Sequence, residues 1–428
     1  MPSYPTLVLN DWPSIQNAIQ LALSRNAISQ DNFNPDNYTL MEPKEWKEQR
    51  FFIKNLLSKV GFAKQEMDRH IVGECRQMCE QMIDNSLGTD VNPRLVFGVC
   101  IANSVNPFLF GHHMAYDKQN AQIIYNHMIP DRELTFTDFG AHFAHVFRNL
   151  EKYLNFWLPR DWDNYKNFHN KLKAIIKTKI NERISEQLID NPNDYIDAYL
   201  LEKTRMNTKI NKDNQHLFND NMLLGNMFAF ASASLTGVMH TLEWSCLLLA
   251  TNPDLQKKLH DEIITVYGIN DMDVTYDKKP SMPLLHSFIL EVLRYRSCSS
   301  LNLRMVSKDT EICNYNIAKG TQVFLNFWAV DNDPNLWDEP QEFRSERFLS
   351  ADKKFVIKPE YFTPFSYGRR SCPGETSAMM QIFLMLVTIL QRYEIKASNK
   401  TDTTLEFVMK VSLIPKCEPI VRFYKRQN

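Results

Sequence analysis

Long apolar runs are missing from this sequence of 428 residues: no stretch reaches the roughly 18 consecutive apolar residues that read as a membrane-crossing helix. The opening residues MPSYPTLVLN have neither a basic n-region nor an apolar h-region, so no signal peptide is read there. Cysteine is sparse. Its eight positions, 75, 79, 100, 246, 298, 313, 372 and 417, exclude a disulfide scaffold, and no C-x-x-C pair suggests zinc. Cys75 and Cys79 stand at i,i+4, which reads as a reduced helix face. An excess of one charge is also missing. Lys+Arg 49 against Asp+Glu 50 gives a net charge of -1, which excludes the basic footprint of a nucleic-acid binder. There is no internal repeat and no low-complexity tract. What remains is a reduced, cytosol-facing globular protein, long enough by length alone for two or three domains. Its 27 Phe leave material for an apolar pocket.

Helical periodicity dominates the pattern. Pro5 to Asn10 reads as a short strand, and Asp11 as the cap of a helix to about Ser24. Residues 25–43 read as loop. Helices follow at about 44–58, 64–86, 92–105, 117–129, 135–153, 162–189, 216–250, 254–267 and 284–296. Between 300 and 325 the pattern shifts to short strands, with a turn at Lys319-Gly320. The four prolines between 331 and 364 mark a meandering loop, and the stretch from about Tyr393 reads as β-hairpins. The fold class is mainly α with small peripheral sheets.

One segment carries specific chemistry: Phe365-Ser-Tyr-Gly368-Arg369-Arg370-Ser-Cys372-Pro373-Gly374. A lone cysteine is usually an ordinary buried thiol. Here it sits among Phe, Gly, Arg and Gly at fixed offsets, which suits a thiolate bound to haem iron. Such a ligand favours cleavage of an O–O bond. Gly368 suits a tight turn, and Gly374 a close approach of backbone to porphyrin. Arg370 can pair with a propionate. Pro373 fits the first position of a helix whose body is Ile382 to Leu390, and the positive end of that helix favours the thiolate.

The segment resembles the haem-binding signature of the cytochrome P450 family, F-x-x-G-x-R-x-C-x-G, at every defining position. Further matches follow in the family's order. Glu291-Val-Leu-Arg294, by itself a surface pair worth a few tenths of a kcal/mol, resembles the E-x-x-R helix, and Met282-Pro283 its lead-in. Glu342-Phe-Arg-Ser345-Glu346-Arg347-Phe348 resembles the P-E-R-F segment, with Ser345 in place of Pro. The resemblance implies a structural network of Glu291, Arg294 and Arg347. Trp46-Lys-Glu-Gln-Arg50 is similar to W-x-x-x-R; without the other motifs Trp46 reads as a core aromatic. Arg304 matches a second propionate-binding position.

The resemblance implies one haem domain over residues 1–428, with a haem b cofactor and Cys372 as the iron ligand. Trp46, Arg50, Arg304, Phe365, Arg370 and Gly374 would hold the haem. It implies a monooxygenase of the microsomal type, acting with O2 on a lipophilic small molecule such as a steroid, fatty acid or xenobiotic. Electrons would come from NADPH-cytochrome P450 reductase, with cytochrome b5 as a further donor, at the cytosolic face of the endoplasmic reticulum membrane. No nucleic acid is a partner. Arg369, Arg370 and nearby lysines read as a basic face for an acidic reductase, or as a solvated surface. Relative to microsomal members the anchor helix and its hinge are missing, so the sequence reads as a fragment of a longer chain or as a soluble variant.

One position departs from the family. Aligned on Trp244 and Asn252-Pro253-Asp254, the oxygen-activating segment reads Ala233-Ser234-Leu235-Thr236-Gly237-Val238. Thr236 replaces the family's acid and Gly237 its threonine, and no acid lies between Met222 and Thr241. Thr236 is the candidate for proton handling. Ser234 and Thr236, at i,i+2, do not face each other as one relay, and each can instead bond to its own helix. Phe228, Phe230, Ala233, Leu301 and Leu303 are candidate pocket residues or core. Three readings stay open: a monooxygenase; a haem-thiolate isomerase or dehydratase that does not activate O2; and a haem-binding protein without turnover.

Overall fold

A computed structural model describes residues 5–21, 43–111, 113–128, 160–185, 192–208, 218–268, 274–409 and 412–427. The helix expected at 135–153 lies outside the described residues, as does most of the loop at 25–43.

The described elements are mainly helical. In chain order the helices are α1 (Trp12–Gln20), α2 (Pro43–Lys59), α3 (Gln65–Met78), α4 (Pro93–Phe110), α5 (Lys118–Met128), α6 (Arg160–Ser185), α7 (Tyr195–Thr208), α8 (Asp220–Thr251), α9 (Pro253–Tyr267), α10 (Pro283–Tyr295), α11 (Phe327–Asp331) and α12 (Glu375–Arg392). Asp11 caps α1 through the Ser14 N–H, as its position suggests. The helix expected over 64–86 runs as α3, then a π turn Cys79–Ile83 and a 3-10 turn Asp84–Ser86. Two helices were not read from the sequence, α7 and the short α11.

Helix α8 is the axis of the core. It packs against α4, α6, α9, α10 and α12. Asn219 caps its start and Asn252 caps the start of α9. Its length and apolar composition would suffice to cross a bilayer, yet most of its second half is buried within this fold. Two polar ties hold it in register. The buried Glu243 pairs with Arg94 of α4 at 2.9 Å, and the Trp244 indole N–H donates to the Leu413 carbonyl at 2.7 Å.

The strands are β1 (Thr6–Leu9), β2 (Leu301–Met305), β3 (Thr310–Ile312), β4 (Tyr315–Ile317), β5 (Gln322–Asn326), β6 (Tyr393–Ala397), β7 (Phe407–Met409), β8 (Leu413–Pro415) and β9 (Val421–Lys425). They form small sheets: β1-β5-β2, with β1 parallel and β2 antiparallel to β5, and the antiparallel pairs β3-β4, β6-β9 and β7-β8. Gly320, at φ +87, turns the chain between β4 and β5.

The network Glu291, Arg294 and Arg347 forms in the core. Arg294 meets Glu291 at 2.8 Å and Arg347 meets it at 3.0 Å, with Glu291 and Arg294 wholly buried. The arginines spend their remaining donors on carbonyls. Arg294 donates to Asp331 and Pro340, and Arg347 to Asp338, Glu339 and Glu342. Two charges thereby clamp a stretch that has almost no regular structure. Trp337 of that stretch packs edge-on against Phe348, Tyr361 and Phe362, which carries the clamp to the segment leading into Cys372.

Candidate functional site

The cysteine segment is shaped by its backbone. Ser366 and Gly368 adopt φ +61 and +71. A Cβ on Gly368 would lie 2.8 Å from Ile19 Cγ2 of α1, so both conformation and packing require glycine there. The loop then returns, and the Cys372 N–H donates to the Phe365 carbonyl at 2.8 Å. Pro373 does not open the following helix: α12 starts at Glu375 with Gly374 as its cap. The turn through Pro373-Gly374 instead brings the Gly374 N–H to the Cys372 sulfur at 3.3 Å. A backbone donor aimed at sulfur favours the thiolate.

Cys372 differs from the packed cysteines. Cys75, Cys79, Cys100 and Cys246 are buried, and burial pushes the Cys79 thiol up to about 12 and raises those of Cys75 and Cys246. They are apolar filling. Cys372 is exposed and opens onto a cavity of about 380 Å³.

That cavity gathers most of the expected residues. Trp46, Arg50, Phe365, Arg370, Cys372 and Gly374 all line it. Arg370 lies 3.9 Å from the Trp46 ring centre and Arg50 5.5 Å from it, while Arg50 also donates to the Ser371 carbonyl at 2.7 Å. Two cations thus share one aromatic at one edge of the cavity. Arg304 is not in the lining. It is buried on β2 with a guanidinium N–H on the Leu303 carbonyl at 2.9 Å.

Helix α8 forms the facing wall, with Ala229, Phe230, Ala233, Ser234, Thr236, Gly237, Val238 and Thr241 in the lining. Phe230 and Ala233 reach the cavity as expected; Phe228 does not and is buried instead. The wall's hydroxyls turn to their own helix: Ser234 to the Ala231 carbonyl, Thr236 to Ser232 at 2.8 Å and Thr241 to Gly237. Thr236 therefore faces the cavity with its proton committed and its lone pairs open. Leu301 and Leu303 are absent from the lining, and Asn302 is present with Ser297, Cys298 and Ser299. Strand alternation explains this, because Asn302 points to the face opposite its two neighbours. No signal marked these residues beforehand, since Ser and Asn after a helix read as an ordinary turn.

The lining residues fit a flat, anionic, metal-carrying group. Among the described residues no three His, Cys, Asp or Glu side chains gather as a metal cage, so a metal at Cys372 must bring most of its ligands with it. A Cβ on Gly374 would meet nothing in the protein nearer than 3.8 Å. Protein packing therefore gives no reason for glycine there, whereas a ligand passing close to the backbone does. Arg50 and Arg370 supply positive charge for acidic groups on its edge.

Comparison with known proteins agrees with this chemistry. The family model "Cytochrome P450" matches residues 3–420. Cytochrome P450 2U1 of Bos taurus is 29% identical over 353 residues, which is 81% of this chain and 62% of that protein. The Homo sapiens protein of that name is also 29% identical, over 354 residues and the same shares. Cytochrome P450 2J3 of Rattus norvegicus is 27% identical over 385 residues, 90% of this chain and 74% of that protein. The chain spans about three fifths of the length of the first two. Family membership implies a haem held by a cysteine thiolate. With α8 at the core, small sheets at the edge and a cysteine loop on the cavity wall, this chain belongs to the cytochrome P450 family.

Proposed function

We propose that the chain is one haem domain of a monooxygenase, whose cavity would hold haem b through the Cys372 thiolate. The observation that carries this reading is the Cys372 sulfur: it is open to the cavity, 3.3 Å from the Gly374 N–H, and lies on the wall that also holds Trp46, Arg50 and Arg370. Bound haem supplies iron at which dioxygen is activated, and an axial thiolate promotes that chemistry. The chain's residues hold and surround the group. Arg50 and Arg370, both near the Trp46 ring, would take the propionates. Phe365 and Gly374 would flank the ring, and the Gly374 N–H would keep negative charge on sulfur. Arg304 would be a propionate partner only if one of its other guanidinium donors reached the cavity, whose lining does not include it. Leu57, Phe62, Val105, Leu109, Phe230 and Val238 form an apolar cavity and exclude water, which suits a lipophilic substrate. Thr236 can accept a hydrogen bond from water in the cavity and so orient it. By kinship the electron donor is NADPH-cytochrome P450 reductase, with cytochrome b5 as a second donor, at the cytosolic face of the endoplasmic reticulum.

The test is the absorption spectrum of the reduced, CO-bound protein. Wild type should show the red-shifted Soret band of a thiolate ligand, and Cys372→Ala should lose it. A wild-type band at the unshifted position ends the reading.

The helix wall favours a second reading. It carries no acid, and the Thr236 hydroxyl is committed to Ser232. An isomerase or dehydratase needs no proton delivery to dioxygen. Turnover of a hydroperoxide without NADPH supports it; a strict need for NADPH and reductase rules it out.

A further inference from the structure

The cavity has a polar corner away from the Trp46 ring near which its cations lie. After α10 the chain turns through Ser297, Cys298 and Ser299 into β2, and all three line the cavity together with Asn302. The corner is wired internally. The Ser299 N–H donates to the Ser297 hydroxyl oxygen at 3.3 Å. The Asn302 amide NH2 donates to the Ser299 hydroxyl at 3.0 Å and faces the Ser299 carbonyl at 3.4 Å. That carbonyl can only accept, which fixes the amide with its oxygen turned away. The loop is strutted from behind: the His240 ring of α8 donates to the Arg296 carbonyl at 2.7 Å.

Two hydrogen-bonding capacities are left. Among the described residues, nothing accepts from the Ser299 hydroxyl and nothing donates to the Asn302 amide oxygen. One is a donor and the other an acceptor, joined by a 3.0 Å contact. Among the described residues, the only charged side chains in the lining, Arg50 and Arg370, sit at Trp46.

We infer that Ser299 and Asn302 recognise an alcohol group on an otherwise apolar, uncharged substrate. This rests on the reading that the cavity receives the substrate. A hydroxyl satisfies both groups at once, by donating to the Asn302 oxygen and accepting from Ser299. A ketone satisfies one, and a hydrocarbon leaves both dry and unpaired. A carboxylate meets the Asn302 oxygen with no cation beside it, and burying it there is costly. Ser299 and Asn302 are half-buried, so substrate specificity follows from cavity-facing polar groups that a bound substrate would desolvate and must satisfy.

The experiment compares decanol, a decanone, decane and decanoate by equilibrium dialysis against the full chain loaded with haem. Affinity should fall in the order alcohol, ketone, hydrocarbon, with decanoate weakest. Asn302→Leu should cut the preference for decanol over decane about tenfold, the equivalent of one buried hydrogen bond to a neutral group. Ser299→Ala should cut it by a smaller factor, and it carries the test if the leucine variant fails to fold. An unchanged decanol-to-decane ratio in Ser299→Ala and in any folded Asn302→Leu protein overturns the inference. So does decanoate binding tightest. Dialysis reads affinity without haem chemistry. A CO-bound spectrum lacking the thiolate band would therefore end the haem-thiolate reading while leaving the alcohol preference to be judged on its own.

Discussion

On the cysteine wall of the cavity the backbone carries the chemistry. Ser366 and Gly368 turn the chain in left-handed conformations, the Cys372 N–H closes the loop on Phe365, and the Gly374 N–H points at sulfur. On the facing wall α8 is a regular helix whose own hydrogen bonds are complete. Only side chains can act there, and Ser234, Thr236 and Thr241 each donate back into the helix. An irregular loop must be held from outside; a helix holds itself. The buried clamp of Glu291, Arg294 and Arg347 is what holds the loop region, whereas the buried pair on α8, Glu243 with Arg94, lies beyond the stretch from Ala229 to Thr241 that lines the cavity.

The largest expected effect tests that asymmetry. Glu291→Ala leaves Arg294 and Arg347 without their shared carboxylate in a buried site, and removing one partner of a buried pair costs about 3–5 kcal/mol. Urea unfolding should register the loss as a lower midpoint. Ser234→Ala on the helix wall removes only a back-bond and should stay within about 0.5 kcal/mol. A Glu291→Ala cost under about 1 kcal/mol would mean that the pair behaves as a surface one, and the contrast between the walls would fail.

A second effect comes from the strut between α8 and the polar corner. Burial is the main cause that pushes the His240 imidazole down to about 4; Arg94 and Arg296 push the same way, and Glu243 and the bond to Arg296 oppose them. Unfolded histidine titrates near 6.5. Between these values the unfolded chain binds the extra proton, so stability rises with pH across that window. The contribution is complete above about pH 6.5 and is lost as pH falls toward 4, by up to about 3 kcal/mol. His240→Gln, which keeps an N–H donor, should flatten the fall in urea midpoint between pH 6.5 and 4.5. Parallel curves for variant and wild type would show that other groups set the acid limit.

The contrast between walls also explains what was legible in the sequence. Phe365, Gly368, Arg370, Cys372 and Gly374 could be read because an unusual backbone admits few residues at each position. The helix start at Asp11 was readable because caps have specific side chains; the cap at Asn219 was not, and the central helix was expected to begin at 216 instead. Helix α7 was not. Its apolar residues bunch in its first half, and its start is polar because Asp194 is buried against Arg183 at 3.0 Å, a tertiary pairing with no local signal. Pro373 suggested a helix start, yet the turn it enters serves the sulfur first. Leu301 and Leu303 read as pocket residues or core by hydrophobicity, and strand phase gave the cavity to Asn302 instead. Arg304 was expected at the haem edge, yet it is buried on β2 and does not line the cavity.

The smallest expected effect concerns Thr236. Its hydroxyl donates to Ser232 at 2.8 Å, so it can accept from water but cannot pass on its proton without leaving that bond. Removal of a working proton donor costs about 10² or more in rate. Thr236→Val should fall well short of that in product formed per NADPH, because the cavity loses only an acceptor. Placing the family's residues on the wall is the sharper companion. A Cβ at Gly237 meets only Cys298 Sγ, at 3.9 Å, so a side chain fits there. Thr236→Glu with Gly237→Thr should therefore fold, and it should raise product per NADPH if proton delivery is what the helix wall lacks. A hundredfold loss in Thr236→Val would make that hydroxyl the donor after all. No gain in the double variant would mean that the wall is shaped for chemistry in which dioxygen receives no proton.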